Sequence, residues 1–208
     1  ASPLALTLVA ALSPSPVLQG VGGFSKKASC DLCASHYYSM PGMRVTGSLH
    51  QGLSTSTVHG MAWMDHEFMS NALTKDQAGW DWFSLSHKDG RQVMLFTIRD
   101  KNGGLNFASG SISSGAGTKP LSAQDFSIKV TEYWQSPRSQ ARYPSRWEVS
   151  IPKERIQAEL RPRLADQELV FPAAGEGKSP LTYWEGAVAS TARDLLGYVE
   201  MTGYAGEM

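Results

Sequence analysis

Three ionisable side chains stand in a row at Asp65, His66 and Glu67, just past an alternating run over residues 54–65. Such a group suits the addition of water to an alkene. That reaction needs a proton donor to reach a carbocation-like state and then a base that activates water. A carboxylic acid in apolar surroundings can donate the proton, and aromatic faces can steady the cation. Trp63, Phe68, Trp80 and Trp82 lie near in sequence and are candidate ligand contacts. The same residues have structural readings: the charged run can anchor a bend through ion pairs, and the tryptophans can fill a core.

A second aromatic and acidic set closes the chain. Glu185 follows Tyr183 and Trp184, and Glu200 lies two residues past Tyr198. Each glutamate is either outward and solvated or a costly buried acid, and strand register decides which. All five are candidate ligand contacts. His66-Glu67 opens like a zinc-protease helix, but position 70 is Ser, so the second ligand is missing. No G-x-S-x-G elbow occurs. Gly20 to Gly23 and Gly115 to Gly117 lack the strand–turn–helix context of phosphate loops. Cys30-x-x-Cys33 is a redox pair, half a zinc site or a short disulfide. Neither a metal nor a cofactor is expected.

The elements that must carry these residues read as strands. Residues 80–87 alternate, with Trp80, Trp82, Ser84 and Ser86 on one face. Lys88-Asp89-Gly90 then makes a hairpin signal, and residues 91–99 return. Strands follow at 105–112, 126–134 and 146–151, with loops at 113–119 and 136–144. Residues 153–169 mix four-residue and two-residue spacing; Pro162 disfavours a helix, so a strand is expected. Residues 171–180 read as loop, and 182–189 with 196–204 as a closing pair. Many short strands without a long helix mean an all-β, antiparallel sandwich or barrel.

With 208 residues and an apolar fraction of 41%, the chain can bury a core. Its 19 basic and 19 acidic residues balance, and no basic stripe points to nucleic acid. Residues 4–12 are too short to cross a membrane and read as a buried strand, so no transmembrane segment is expected.

Seven segments together carry a family resemblance. They are Val17 to Lys26, His36 to Pro41, Gly60 to Phe68, Gly79 to Leu85, Asp166 to Leu169, Tyr183 to Val188 and Gly197 to Tyr204. In order and spacing they resemble the AttH-like branch of the carotenoid 1,2-hydratase family, whose members are also labelled secreted hydrolases. The resemblance implies two lipocalin-like (calycin) barrels in tandem. Residues 1–34 would then be the end of the first barrel and a linker, and residues 35–208 the C-terminal barrel. It implies an exported, periplasmic or secreted protein that binds an apolar small molecule such as a lipid, isoprenoid or polyene. A first barrel preceding this chain and the components of an ABC transport system are the implied partners. The alternative it implies is a cofactor-independent hydratase, isomerase or cyclase, or a secreted hydrolase. His66 matches the family's catalytic histidine in a His-x-Trp motif, with Phe68 in place of the Trp. His66 is accordingly expected beside an aromatic-lined cavity.

Overall fold

Alternating side chains and glycine turns draw the chain into two antiparallel sheets. A computed structural model describes residues 4–12, 15–70, 73–172 and 181–206. The first sheet holds β1 (Leu4–Ala10), β2 (Val17–Leu18), β3 (Phe24–Lys26), β4 (Ala34–Gln51) and β5 (Ser54–Phe68). β4 is its hub and pairs with the other four. A bulge between Met40 and Met43 bends it, with Gly42 at φ 64°, a conformation that favours glycine.

The second sheet holds β6 (Gln77–His87), β7 (Gln92–Asp100), β8 (Leu105–Ser114), β9 (Gly117–Ser122), β10 (Ser127–Gln135), β11 (Arg142–Ile151), β12 (Ile156–Pro162), β13 (Glu168–Phe171), β14 (Leu181–Ser190) and β15 (Leu195–Thr202). Its order is β10-β11-β12-β14-β15-β6-β7-β8-β9, with β13 added beside β14. The sheet curls into a lipocalin-like half-barrel. Its concave side is filled by Phe83, Leu85, Trp147, Val149, Trp184 and Val199, all essentially buried. Phe83 and Trp184 flank Trp147 with ring centroids 5.9 and 6.3 Å away. This side is a packed core.

The hairpin expected at residues 88–90 joins β6 to β7, paired from Ser86 with Gln92 to Gln77 with Asp100. Gly90 sits at φ 94° and accepts no Cβ without strain, although the space around it is open. Gly90→Ala is therefore expected to cost about 1–2 kcal/mol from backbone strain alone, read as a lowered melting temperature.

Several expectations need correction. The loop expected at 113–119 is mostly strand: β8 runs through Ser114 and β9 starts at Gly117, because Ile112 and Leu121 both reach the core. The loop at 136–144 ends early, since β11 begins at Arg142 to bury Tyr143. The segment 153–169 is two strands, β12 and β13, after a one-turn 3-10 helix at Pro152–Glu154, and β12 stops at Pro162. Phe171 belongs to β13, while residues 173–180 of the loop expected there lie outside the described residues.

β1 is a strand, but not the buried one expected. It pairs with β4 in the first sheet, and Leu6 and Leu8 remain 57% and 49% exposed. Cys30 and Cys33 are joined as a disulfide across the turn between β3 and β4.

Candidate functional site

The convex face of the half-barrel is where the first sheet lands. Strand alternation sends Phe83 and Leu85 of β6 into the core and Trp80 and Trp82 outward. β7 does the same with Val93 and Leu95 inward and Met94, Phe96 and Ile98 outward. β4 and β5 cover this outer face. Tyr37, only 3% exposed, packs among Met94, Phe96 and Ile98. Trp82 Nε1 donates to the Tyr37 hydroxyl at 2.9 Å, and Trp63 meets the Trp82 ring edge-on at 6.2 Å.

A cavity of about 170 Å³ lies in this seam, walled by Tyr37, Trp80, Trp82, Phe96 and Ile98. Lys27, Asp65, Glu67 and Glu200 supply its charge. A larger groove of about 860 Å³ continues from it and shares Asp65 and Trp82. Both openings therefore lie on the outside of the barrel.

Register explains how the acids converge. β5 extends to Phe68, with Ser39 opposite Asp65 and Tyr37 opposite Glu67. Residues two apart share a face, so Trp63, Asp65 and Glu67 all turn toward the half-barrel. His66 and Phe68 take the opposite face. The His66 Nδ1 atom is 3.0 Å from the Tyr38 hydroxyl, and its ring packs on Tyr38 and Phe68. Neither His66 nor Phe68 lines the cavity or the groove. The structure thus separates His66 from the acids it adjoins in sequence, and the expected cavity beside it belongs to its neighbours.

Asp65 ends a directed chain of hydrogen bonds. The Ser111 hydroxyl donates to Gln19 Oε1 at 2.7 Å, Gln19 Nε2 donates to Ser39 Oγ at 2.9 Å, and the Ser39 hydroxyl donates to Asp65 Oδ1. Gln19, Ser39 and Ser111 are all buried, so the chain is shielded from water. Trp63 Nε1 also donates to Asp65 Oδ1, at 3.0 Å. Residue 65 as a whole is exposed, yet the protein around its carboxyl displaces enough water to raise it above its ordinary value. Hydrogen bonds from Ser39 and Trp63 oppose that rise. Ser39→Ala is accordingly expected to push the Asp65 titration further upward, measured by carboxyl carbon NMR. An unchanged midpoint would remove Ser39 from this role.

Glu200 is also raised, first by desolvation, then by the negative charges of Glu185, Asp65 and Glu67. One donor opposes it: Trp80 Nε1, 2.6 Å from Glu200 Oε1. Lys27, with its side chain 11% exposed, pairs with Glu67 at 2.5 Å. Its ammonium lies 4.2 Å from the Phe96 ring centroid. Burial holds Lys27 below its ordinary value, and Glu67 counteracts this. Tyr37 is pushed well up by burial.

The remaining expected contacts divide. Tyr198 lines the larger groove, and its hydroxyl donates to Glu185 at 3.3 Å. Tyr183 meets Trp80 edge-on at 6.3 Å, beside the cavity rather than in its wall. Trp184 is not a ligand contact: it is 1% exposed in the packed core, and its Nε1 donates to the Ala165 carbonyl at 2.8 Å. Even spacing along β14 sends it inward when Tyr183 and Glu185 point outward. Lys27, Tyr37, Ser39, Phe96 and Ile98 were not among the residues singled out from sequence. One usable signal was the unbroken apolar run Val93-Met94-Leu95-Phe96, which fits a strand buried on both faces. Among the described residues, no cluster of His, Cys, Asp or Glu could hold a metal ion.

Comparison with known proteins bears on this geometry. A family model described as AttH-like matches residues 1–204. A Nitrosomonas europaea protein, whose crystal structure carries the designation AttH, is 34% identical, with a TM-score of 0.84 over 98% of this chain. Kievitone hydratase from Nectria haematococca is 17% identical and shares the fold, with a TM-score of 0.69 over 98% of the chain. The chain spans 62% of the length of each of these two proteins. No curated protein matches it.

Proposed function

The chain belongs to the AttH-like family, and on that premise we propose that its inter-sheet cavity binds an apolar, unsaturated small molecule and adds water to it by acid–base catalysis. The observation that carries this reading is the pair Asp65 and Glu200: two carboxyls raised by desolvation in one aromatic-walled cavity. Their surroundings give them different tasks. Asp65 accepts from Ser39 and Trp63, both of which favour the carboxylate. Glu200 has one donor and three acidic neighbours, which favour the protonated acid.

Glu200 therefore gives its proton to one alkene carbon, and the cation forms on the other, facing Trp80 and Trp82. Water attacks that carbon and gives up a proton to Asp65. Proton exchange with solvent restores both acids. The name of the distant neighbour, kievitone hydratase, agrees with this class of reaction, although a shared fold alone assigns no chemistry. Incubation with prenylated and polyene substrates in oxygen-18 water tests it: a product carrying one oxygen-18 is expected, and its absence across the set contradicts hydration. A second reading, ligand carriage without turnover, is favoured by the larger groove, whose size alone suits a drug-sized molecule.

The apolar residues along β1, with Leu4, Leu6 and Leu8 exposed, suit cover by a preceding lipocalin-like unit. The Cys30–Cys33 disulfide suits an oxidising compartment such as the periplasm.

A further inference from the structure

We propose that the groove beyond the cavity seats the body and head of an elongated unsaturated carboxylate, with Lys88 and Arg193 receiving the anionic head. The proposal rests on the reading above, in which the reacting double bond sits at Asp65 and Glu200.

The groove continues the cavity through Asp65 and Trp82, which line both. Its middle is apolar: Met61 and Trp63 from β5 face Leu196 and Tyr198 from β15. Met61 and Leu196 are 60% and 54% exposed, a substantial area for a ligand to cover. The far end is different in kind, because Lys88 and Arg193 line it where the β6–β7 and β14–β15 turns meet. The backbone N–H of Lys88 donates to the Asp194 carbonyl at 2.8 Å, which ties the two turns together. Among the described residues, no ion pair engages the side chain of Lys88 or Arg193.

The anionic groups at this end offset these cations only in part: the Lys88 ammonium already attracts the Asp194 carboxylate, and Asp89 is shared between His87 and Arg91. Asp194 accepts from Ser190 Oγ at 2.5 Å, and His87 is held by Asp89 at 2.8 Å. Two cations against the Asp194 carboxylate leave a positive end opposite the acidic one. The acids at the near end repel an anionic head, so polarity sets the direction in which the ligand lies. From Trp82 to His87 along β6, at ~3.3 Å per residue, the berth is about 17 Å long. That length suits a long-chain or isoprenoid acid.

Binding of trans-parinaric acid and its methyl ester, followed by the probe's own fluorescence at low ionic strength, tests this. The acid is expected to bind about five- to tenfold more tightly than the ester. In the double variant K88Q/R193Q, the acid should fall to the ester's affinity while ester binding is unchanged, which also reports an intact fold. Equal affinities for acid and ester, or a double variant that still favours the acid, would overturn the head-group assignment. Binding of neither probe would overturn the groove as a berth. The oxygen-18 experiment judges the acid–base reading separately, since it requires neither a carboxylate head nor Lys88.

Discussion

Glu200→Gln is expected to cut turnover by a factor on the order of 10²–10⁴ while leaving the fold and ligand binding in place. Glutamine keeps a side-chain oxygen to accept from Trp80 Nε1, so the local hydrogen bond survives. What it removes is the proton. Asp65→Asn removes the base and should show a loss of similar order. The pH profile follows from the same assignment. The acid must be protonated, so activity falls as pH rises through the Glu200 midpoint. The base must be ionised, so activity falls as pH drops through the Asp65 midpoint. Because burial raises both groups, both limbs should be displaced to higher pH than unperturbed carboxylates would give. In Glu200→Gln, any residual activity should lose its alkaline limb. A variant retaining wild-type turnover would exclude Glu200 as the donor.

The largest stability effect is expected away from the cavity, at Arg99→Leu. Arg99 hydrogen-bonds to the Asp81 carboxylate and to the Thr202 carbonyl, and its guanidinium lies 3.9 Å from the Tyr204 ring centroid. The Tyr204 hydroxyl donates to the same Asp81 at 3.1 Å. This cluster ties β6, β7 and the end of β15 together. Without Arg99, Asp81 stays buried without its cation. Removing one member of a buried pair costs about 3–5 kcal/mol, or roughly 10 °C or more in melting temperature. Desolvation already raises Asp81, and Arg99 is the main influence opposing it. The variant's Asp81 therefore holds its proton in the folded state more strongly than in the unfolded chain. Stability then falls as pH rises above the unfolded value, so the deficit should be smallest near pH 4 and grow toward neutrality. Calorimetry across that range checks both size and sign.

Local chemistry made much of the half-barrel legible. The β6–β7 hairpin follows from two alternating runs around Lys88-Asp89-Gly90, and its register matches that alternation. The closing β14–β15 pair is likewise local. The site was legible in its parts and not in its assembly. The sequence points to Asp65, Glu67, Glu200, Trp80 and Trp82, but its alternation is clear only to residue 65, so nothing in it parts His66 from the acids. Pairing with β4 carries β5 on to Phe68, and a strand places His66 opposite its neighbours. Lys27 and Tyr37 reach the cavity from distant segments through sheet-on-sheet packing, which no short window of sequence contains. The same packing is why the opening lies outside the half-barrel: β6 and β7 bury both faces, one in the core and one beneath the first sheet.

Ligand is expected to bind between the sheets, on the convex face, rather than within the half-barrel. Photolabelling with a diazirine-bearing isoprenoid alcohol, followed by peptide mass spectrometry, addresses it most directly. Labels are expected on β5, β6 and β15, at outward residues such as Met61, Trp63, Trp82 and Leu196. They should be competed away by unlabelled ligand. Labels concentrated instead on Phe83, Trp147 or Trp184 would place the ligand in the core and contradict the account.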